Sequence, residues 1–120
     1  MLNIHHVSFI IQDCARSQQF YQQIFGLSPV PNRPDLKFPG IWYQLGDLQL
    51  HLLQCDNPYS EAKLPEHGGR DRHLALETDE FELILSRLEK HKVVLTWSKS
   101  GRKAVFFRDP DSNVIELNSV

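Results

Sequence analysis

At 120 residues, of which 41% are hydrophobic, the chain has the length and apolar content for one modest domain core. A formal net charge of −2, with no long basic run, excludes an electrostatic nucleic-acid binder. The apolar runs are too short for a membrane span, and the first residues lack a charged-then-apolar signal pattern, so a cytoplasmic protein without membrane partners is expected. Cys14 and Cys55 stand alone in the sequence and are expected to be free thiols.

Residues 3–11 are rich in β-branched and aromatic side chains and read as a strand. Asp13 then suits a helix cap, and Phe20, Tyr21, Ile24 and Phe25 form an apolar stripe at helical spacing that Gly26 ends. The proline-rich stretch 29–39 is loop or edge strand. Residues 41–45 and 48–54 read as two strands joined by a turn at Gly46-Asp47. A polar connection follows over 55–70, with Asn57-Pro58 and Gly68-Gly69, as either a linker or a flap. The order then repeats. Residues 72–78 read as a strand, and Asp79 as the cap of a helix with the stripe Phe81, Ile84, Leu85 and Leu88. Strands are expected over 93–97, 103–108 and 114–118, with turns at 98–101 and 109–113. The fold class this predicts is α+β, two βαβββ modules that form a cupped mixed β-sheet. One domain over 1–120 is expected, with modules at about 1–55 and 70–120 and a linker at about 56–69.

Strand side chains alternate between faces. Val7, Phe9 and Ile11 oppose His6, Ser8 and Ile10; Leu48, Leu50 and Leu52 oppose Gln49, His51 and Leu53. In the second half Leu74 and Leu76 oppose His73, Ala75 and Glu77, while Ile115 and Leu117 oppose Val114, Glu116 and Asn118. Each of these strands thus has an aliphatic face suited to helix packing and a mixed face with one metal-ligand side chain. A single strand histidine is more often a hydrogen-bonded or exposed residue than a ligand. Four ligand-type residues at equivalent places in a repeat are harder to explain that way. Burying them without partners would cost on the order of 1–3 kcal/mol each, a cost that a divalent cation offsets. Neutral imidazoles with a carboxylate suit zinc, nickel, iron, manganese or cobalt, and without a thiolate the metal stays open. His6, His51, His73 and Glu116 are therefore the candidate metal ligands, at a pseudo-twofold site where the halves meet. Arg102 at a turn, and Trp42 on a strand, are candidate substrate contacts, although solvated arginine is the commoner reading for the first and core packing explains the second at least as well. His5 is expected to point away from His6. His67 on the connection reads as an exposed histidine.

These residues resemble the vicinal oxygen chelate superfamily, also called the glyoxalase, bleomycin-resistance and dioxygenase superfamily. The resemblance spans essentially the whole chain. It is carried by His5-His6-Val7-Ser8-Phe9, by Phe20-Tyr21 followed by Phe25-Gly26-Leu27, by His73-Leu74-Ala75-Leu76, and above all by the closing segment 106–117, an aromatic strand running through Asp109-Pro110-Asp111-Ser112-Asn113 into Ile115-Glu116-Leu117. Segments 42–52 and 68–73 are similar to those of small glyoxalase-like proteins. The resemblance implies ligands on the first and last strands of each module, at His6, His51, His73 and Glu116, with open metal positions for substrate oxygens. Glu116 and His51 become the catalytic candidates. At the place of His51 glyoxalases usually carry Glu or Gln, so a glutathione hemithioacetal is not the assured substrate.

The leading functional expectation is a metal-dependent enzyme of the glyoxalase-like lyase or isomerase type, acting on a small oxygen-rich metabolite. An Fe(II)-dependent dioxygenase using His6, His73 and Glu116, with His51 as a nearby acid or base, is the alternative. A non-enzymatic small-molecule binder of the bleomycin-resistance type is the third reading, and the full ligand set argues against it. A homodimer is expected, with pairing of the modules within a chain or by exchange between chains left open.

Overall fold

The structure, a computed structural model, describes Met1–Val120. Strand β1 (His6–Ile11) leads into helix α1 (Cys14–Phe25), and strands β2 (Gly40–Leu45) and β3 (Leu48–Gln54) complete the first half. A short 3-10 turn at Gly68–Arg70 precedes β4 (His73–Thr78), α2 (Phe81–Lys90), β5 (Thr96–Trp97), β6 (Ala104–Arg108) and β7 (Val114–Ser119). The chain divides into two compact units, Met1–Ser60 and Glu61–Val120. Hydrogen bonding forms one sheet in each, ordered β1-β3-β2 and β4-β7-β6-β5. Both sheets are mixed, because β1 pairs parallel with β3 and β4 parallel with β7 while the remaining pairs are antiparallel.

In the first unit Asp13 caps α1, its side chain accepting from the Arg16 N–H at 3.1 Å. Gly26 stops the helix in the left-handed region at φ 71°, where a side chain would be strained. Ile11, Ile41, Tyr43, Leu50 and Leu52 lie on one sheet face and are buried with Tyr21 and Ile24 of α1. The Tyr21 and Tyr43 rings meet at 5.6 Å across that layer. The hairpin turns at Gly46, φ 58°.

The first module has three strands rather than the expected four. Stretch 29–39 is loop: Val30 N–H donates to the Trp42 carbonyl at 2.8 Å, but no ladder grows from it. Pro29, Pro31, Pro34 and Pro39 have no N–H to give.

In the second unit Phe81, Ile84 and Leu88 of α2 are buried with Val105, Phe107, Ile115 and Leu117 from one sheet face. Two expectations shift here. Glu80, not Asp79, is the N-cap, and it makes no side-chain cap; its own N–H donates to Thr78 Oγ1 at 2.9 Å. The strand expected over 93–97 shrinks to Thr96–Trp97. Lys92 adopts φ 56° and Val93 N–H returns to the Leu88 carbonyl at 3.0 Å, so these residues are spent ending the helix. The Asp109-Pro110-Asp111-Ser112-Asn113 turn is built on the buried Asp109 carboxylate. It accepts from the N–H groups of Asp111 and Asn113, each at 2.9 Å, and from Asn113 Nδ2 at 3.0 Å.

Candidate metal centre

The sheet faces turned away from the helices carry the candidate ligands in pairs. In the first unit the register sets Ser8 and Trp42 on either side of His51, and His6 beside Gln49. The His51 ring stacks on Trp42, centroids 4.0 Å apart and planes 4° apart, and on His6 at 4.2 Å and 17°. His51 is buried by these rings, and its Nε2 lies 2.9 Å from Gln49 Oε1. A carbonyl oxygen only accepts, so Nε2 carries the hydrogen and Nδ1 keeps the lone pair. Burial, followed by the charges of His6, His5 and Arg33, lowers the His51 pKa below its ordinary 6.5, which favours the neutral ring that a ligand or base must be.

His5 departs from the expectation. Its Nδ1 lies 2.8 Å from His6 Nδ1, with the rings edge to face at 5.1 Å. It precedes β1 and so escapes the strict alternation that the strand pattern imposes. Arg33 is a further residue that sequence reasoning missed. Its guanidinium lies across Gly40, where an added Cβ would meet Nη2 at 2.8 Å, and it donates to the Phe38 carbonyl at 3.0 Å.

In the second unit β4 and β7 place Ala75 opposite Glu116, and β6 places Phe106 on its other side. Glu116 is buried, with 6% of its side chain exposed. It accepts from Asn118 Nδ2 at 2.6 Å and lies 3.6 Å from Arg102 Nη2. His73 Nε2 faces Glu116 Oε1 at 3.5 Å, while His73 Nδ1 lies 2.8 Å from the Asp71 carbonyl. That carbonyl can only accept, so Nδ1 carries a hydrogen, and in the neutral ring Nε2 then turns its lone pair toward a carboxylate oxygen. With Glu116 buried and His73 28% exposed at its side chain, two acceptors facing each other repel unless a proton or a cation lies between them. This donor chemistry fits a divalent cation, and the imidazole N–H bonded to a backbone carbonyl is the arrangement that metal-binding histidines share.

Of the residues singled out from sequence, the structure brings His6, His51 and Trp42 together, and His73, Glu116 and Arg102 together. In neither unit do three or more His, Cys, Asp or Glu side chains form a group that could hold a metal ion. Asn118 and Gln49, which hold Glu116 and His51, could have been found from sequence, since each lies two positions along the same strand face. His67 is not a loose surface residue. Its Nδ1 accepts from the Gly69 N–H at 3.0 Å and its Nε2 lies 3.0 Å from the Trp97 carbonyl. A cavity of about 550 Å³ opens beside it, lined by Glu66, His67, Thr96, Trp97, Ser98 and Lys99, and none of the four candidate ligands lines it.

Two mixed sheets, each with a helix on one face and ligand-type side chains on the other, define an α+β protein of repeated modules. The model of the Glyoxalase/Bleomycin resistance protein/Dioxygenase superfamily matches residues 3–117, and the chain belongs to that superfamily. It is 26% identical to Glyoxylase I 4 of Arabidopsis thaliana, across 98% of this chain and 70% of that protein. It is 29% identical to the uncharacterized protein YaeR of Escherichia coli, across 95% and 93% of the two. Its fold is similar to that of a single-residue variant of the fosfomycin resistance protein FosX from Listeria monocytogenes, solved with Mn(II) and 1S,2S-dihydroxypropylphosphonic acid. The TM-score is 0.74 at 16% identity, covering 99% of this chain and 92% of that one. No helix is long and apolar enough to cross a membrane.

Proposed function

We propose that this protein is a metal-dependent enzyme of the glyoxalase-like lyase or isomerase kind, with His6, His51, His73 and Glu116 as the donor set and a small oxygen-rich metabolite as substrate. The observation that carries this reading is His73 Nε2 facing a Glu116 oxygen 3.5 Å away while its Nδ1 is taken up by the Asp71 carbonyl. A bound divalent cation would supply Lewis-acid stabilisation to two neighbouring substrate oxygens. The chain's own residues do the rest. Asn118 fixes one Glu116 oxygen, so the other is the one presented to cation or proton. His51 is kept neutral and offers Nδ1, either as a ligand or as the atom that accepts a substrate proton. Arg102, 61% exposed at its side chain, is free to leave Glu116 for an anionic substrate group. The Mn(II)-bound state of FosX supports a metal on this fold.

The alternative, an Fe(II)-dependent dioxygenase, is favoured by the stack that holds His51 between Trp42 and His6. In this reading His51, held in the stack, would serve as acid or base rather than ligand, and His6, His73 and Glu116 would be the two-histidine, one-carboxylate set. The test is metal analysis of untagged protein purified without chelators, followed by assay with that metal bound. Turnover of the methylglyoxal–glutathione adduct, lowered on the order of 100-fold or more in Glu116→Ala, supports the first reading. Oxygen uptake with a catechol selects the dioxygenase. Protein that binds no added zinc, nickel, manganese or iron sinks both.

A further inference from the structure

We infer that Arg108 and Asp71 are a positioning pair for His73, fixing its Nδ1–H tautomer and aiming Nε2 at Glu116. This role matters to catalysis only through the ligand role proposed for His73. The lock itself is a property of the metal-free chain.

The lock is built from the Gly68-Gly69-Arg70-Asp71-Arg72-His73 segment. Its 3-10 turn lies flat on the sheet, because a Cβ at Gly68 would come within 2.7 Å of Val114 Cγ1 and 3.0 Å of Phe106 Cβ. Asp71 N–H closes the turn onto the Gly68 carbonyl at 3.0 Å. Arg108 enters from β6 and ties three segments. Its Nη1 donates to Asp71 Oδ2 and to the Ser112 carbonyl, each at 2.8 Å, and its Nη2 donates to the Pro65 carbonyl at 2.7 Å. Both partners are largely buried, with 24% of the Arg108 side chain and 12% of the Asp71 side chain exposed. The planar fork spreads its donors over two terminal nitrogens and so reaches a carboxylate and two carbonyls at once, whereas an ammonium group offers its three donors from one point.

Asp71 passes this restraint on through one peptide plane. Its Oδ1 accepts from the Arg72 N–H at 2.8 Å, and the carbonyl of that same peptide accepts from His73 Nδ1 at 2.8 Å. The peptide unit is rigid, so a carboxylate that holds its N–H also fixes the direction of its C=O. Anchoring the carboxylate with Arg108 therefore sets which ring nitrogen of His73 carries the hydrogen. Without the anchor, the peptide and the imidazole can turn, and Nε2–H pointing at the Glu116 acceptor becomes the competing tautomer.

Long-range ¹⁵N–¹H NMR of metal-free protein at about pH 8, where an ordinary imidazole is neutral, reads the tautomer directly. Wild type should show His73 as a single Nδ1–H tautomer. Arg108→Ala should show a mixture with Nε2–H, and Asp71→Asn and Arg108→Lys should show a partial shift. Glu82→Gln, which breaks an exposed ion pair with Lys103, should leave His73 unchanged. Ni(II) titrated alone should bind the Arg108 and Asp71 variants about 10–100-fold more weakly than wild type. If Arg108→Ala does not fold, the two conservative variants decide. A wild-type His73 already mixed or Nε2–H overturns the pair's role, as does a pure Nδ1–H tautomer in folded Arg108→Lys and Asp71→Asn. A tautomer shift in protein that binds no Ni(II) upholds the lock and sinks the metal reading instead.

Discussion

At the residue scale the most consequential side chain is His51. Burial and the nearby His6, His5 and Arg33 charges depress its pKa in the fold below 6.5, so the unfolded chain binds its proton more readily than the folded one. The stability it contributes is complete above about pH 6.5 and is lost as pH falls through the lower folded value. The unfolding midpoint, followed from about pH 8 down to pH 5, should therefore fall more steeply in wild type than in His51→Gln. Equal slopes would show that the ring titrates normally. The alternation of β3 already put His51 opposite Leu50 and Leu52. What the strand pattern could not give was the Trp42 stack, since a side chain's ring plane is set by its neighbour on the next strand.

At the element scale the ends of α1 were legible because caps are local: Asp13 and Gly26 act through bonds within a turn of the chain. Asp13→Ala should cost about 0.5–2 kcal/mol in urea unfolding, the usual loss on removing a helix N-cap. The 3-10 turn was not legible as structure. Gly68-Gly69 reads as flexible linker until Val114 and Phe106 are seen beneath it. Gly68→Ala forces overlap on that surface and should destabilise by about 1–3 kcal/mol, whereas the same change at an open linker would be neutral or stabilising. A neutral result would mean that the turn lifts easily from the sheet. The shortened β5 has the same lesson, since its first residues were taken by the end of α2 rather than by pairing.

At the scale of the whole molecule, the proposed cation links to folding. A metal that binds only the native chain stabilises it by about 2.7 kcal/mol at a hundred times its dissociation constant. Added Ni(II) should raise the thermal midpoint, a chelator should reverse the rise, and Glu116→Gln should abolish most of it. A midpoint that ignores metal in wild type would argue against a cation as part of the native state.

The sequence by itself determined the repeated strand–helix–strand order, the aliphatic faces and the superfamily, because alternation, helical stripes and the Asp109-to-Asn113 turn are written in neighbouring residues. It also named His6, His51, His73 and Glu116, because a ligand-type side chain among aliphatics breaks the pattern visibly. Tertiary structure alone decided the partners of those side chains: the Trp42–His51–His6 stack, the Asn118 and Arg102 contacts to Glu116, and the Arg108–Asp71 lock on His73. Asp71 and Arg108 lie far apart in the chain and meet only when β4, β7 and β6 pair. No local propensity encodes that meeting, since hydrogen-bond geometry depends on register between strands that are distant in sequence.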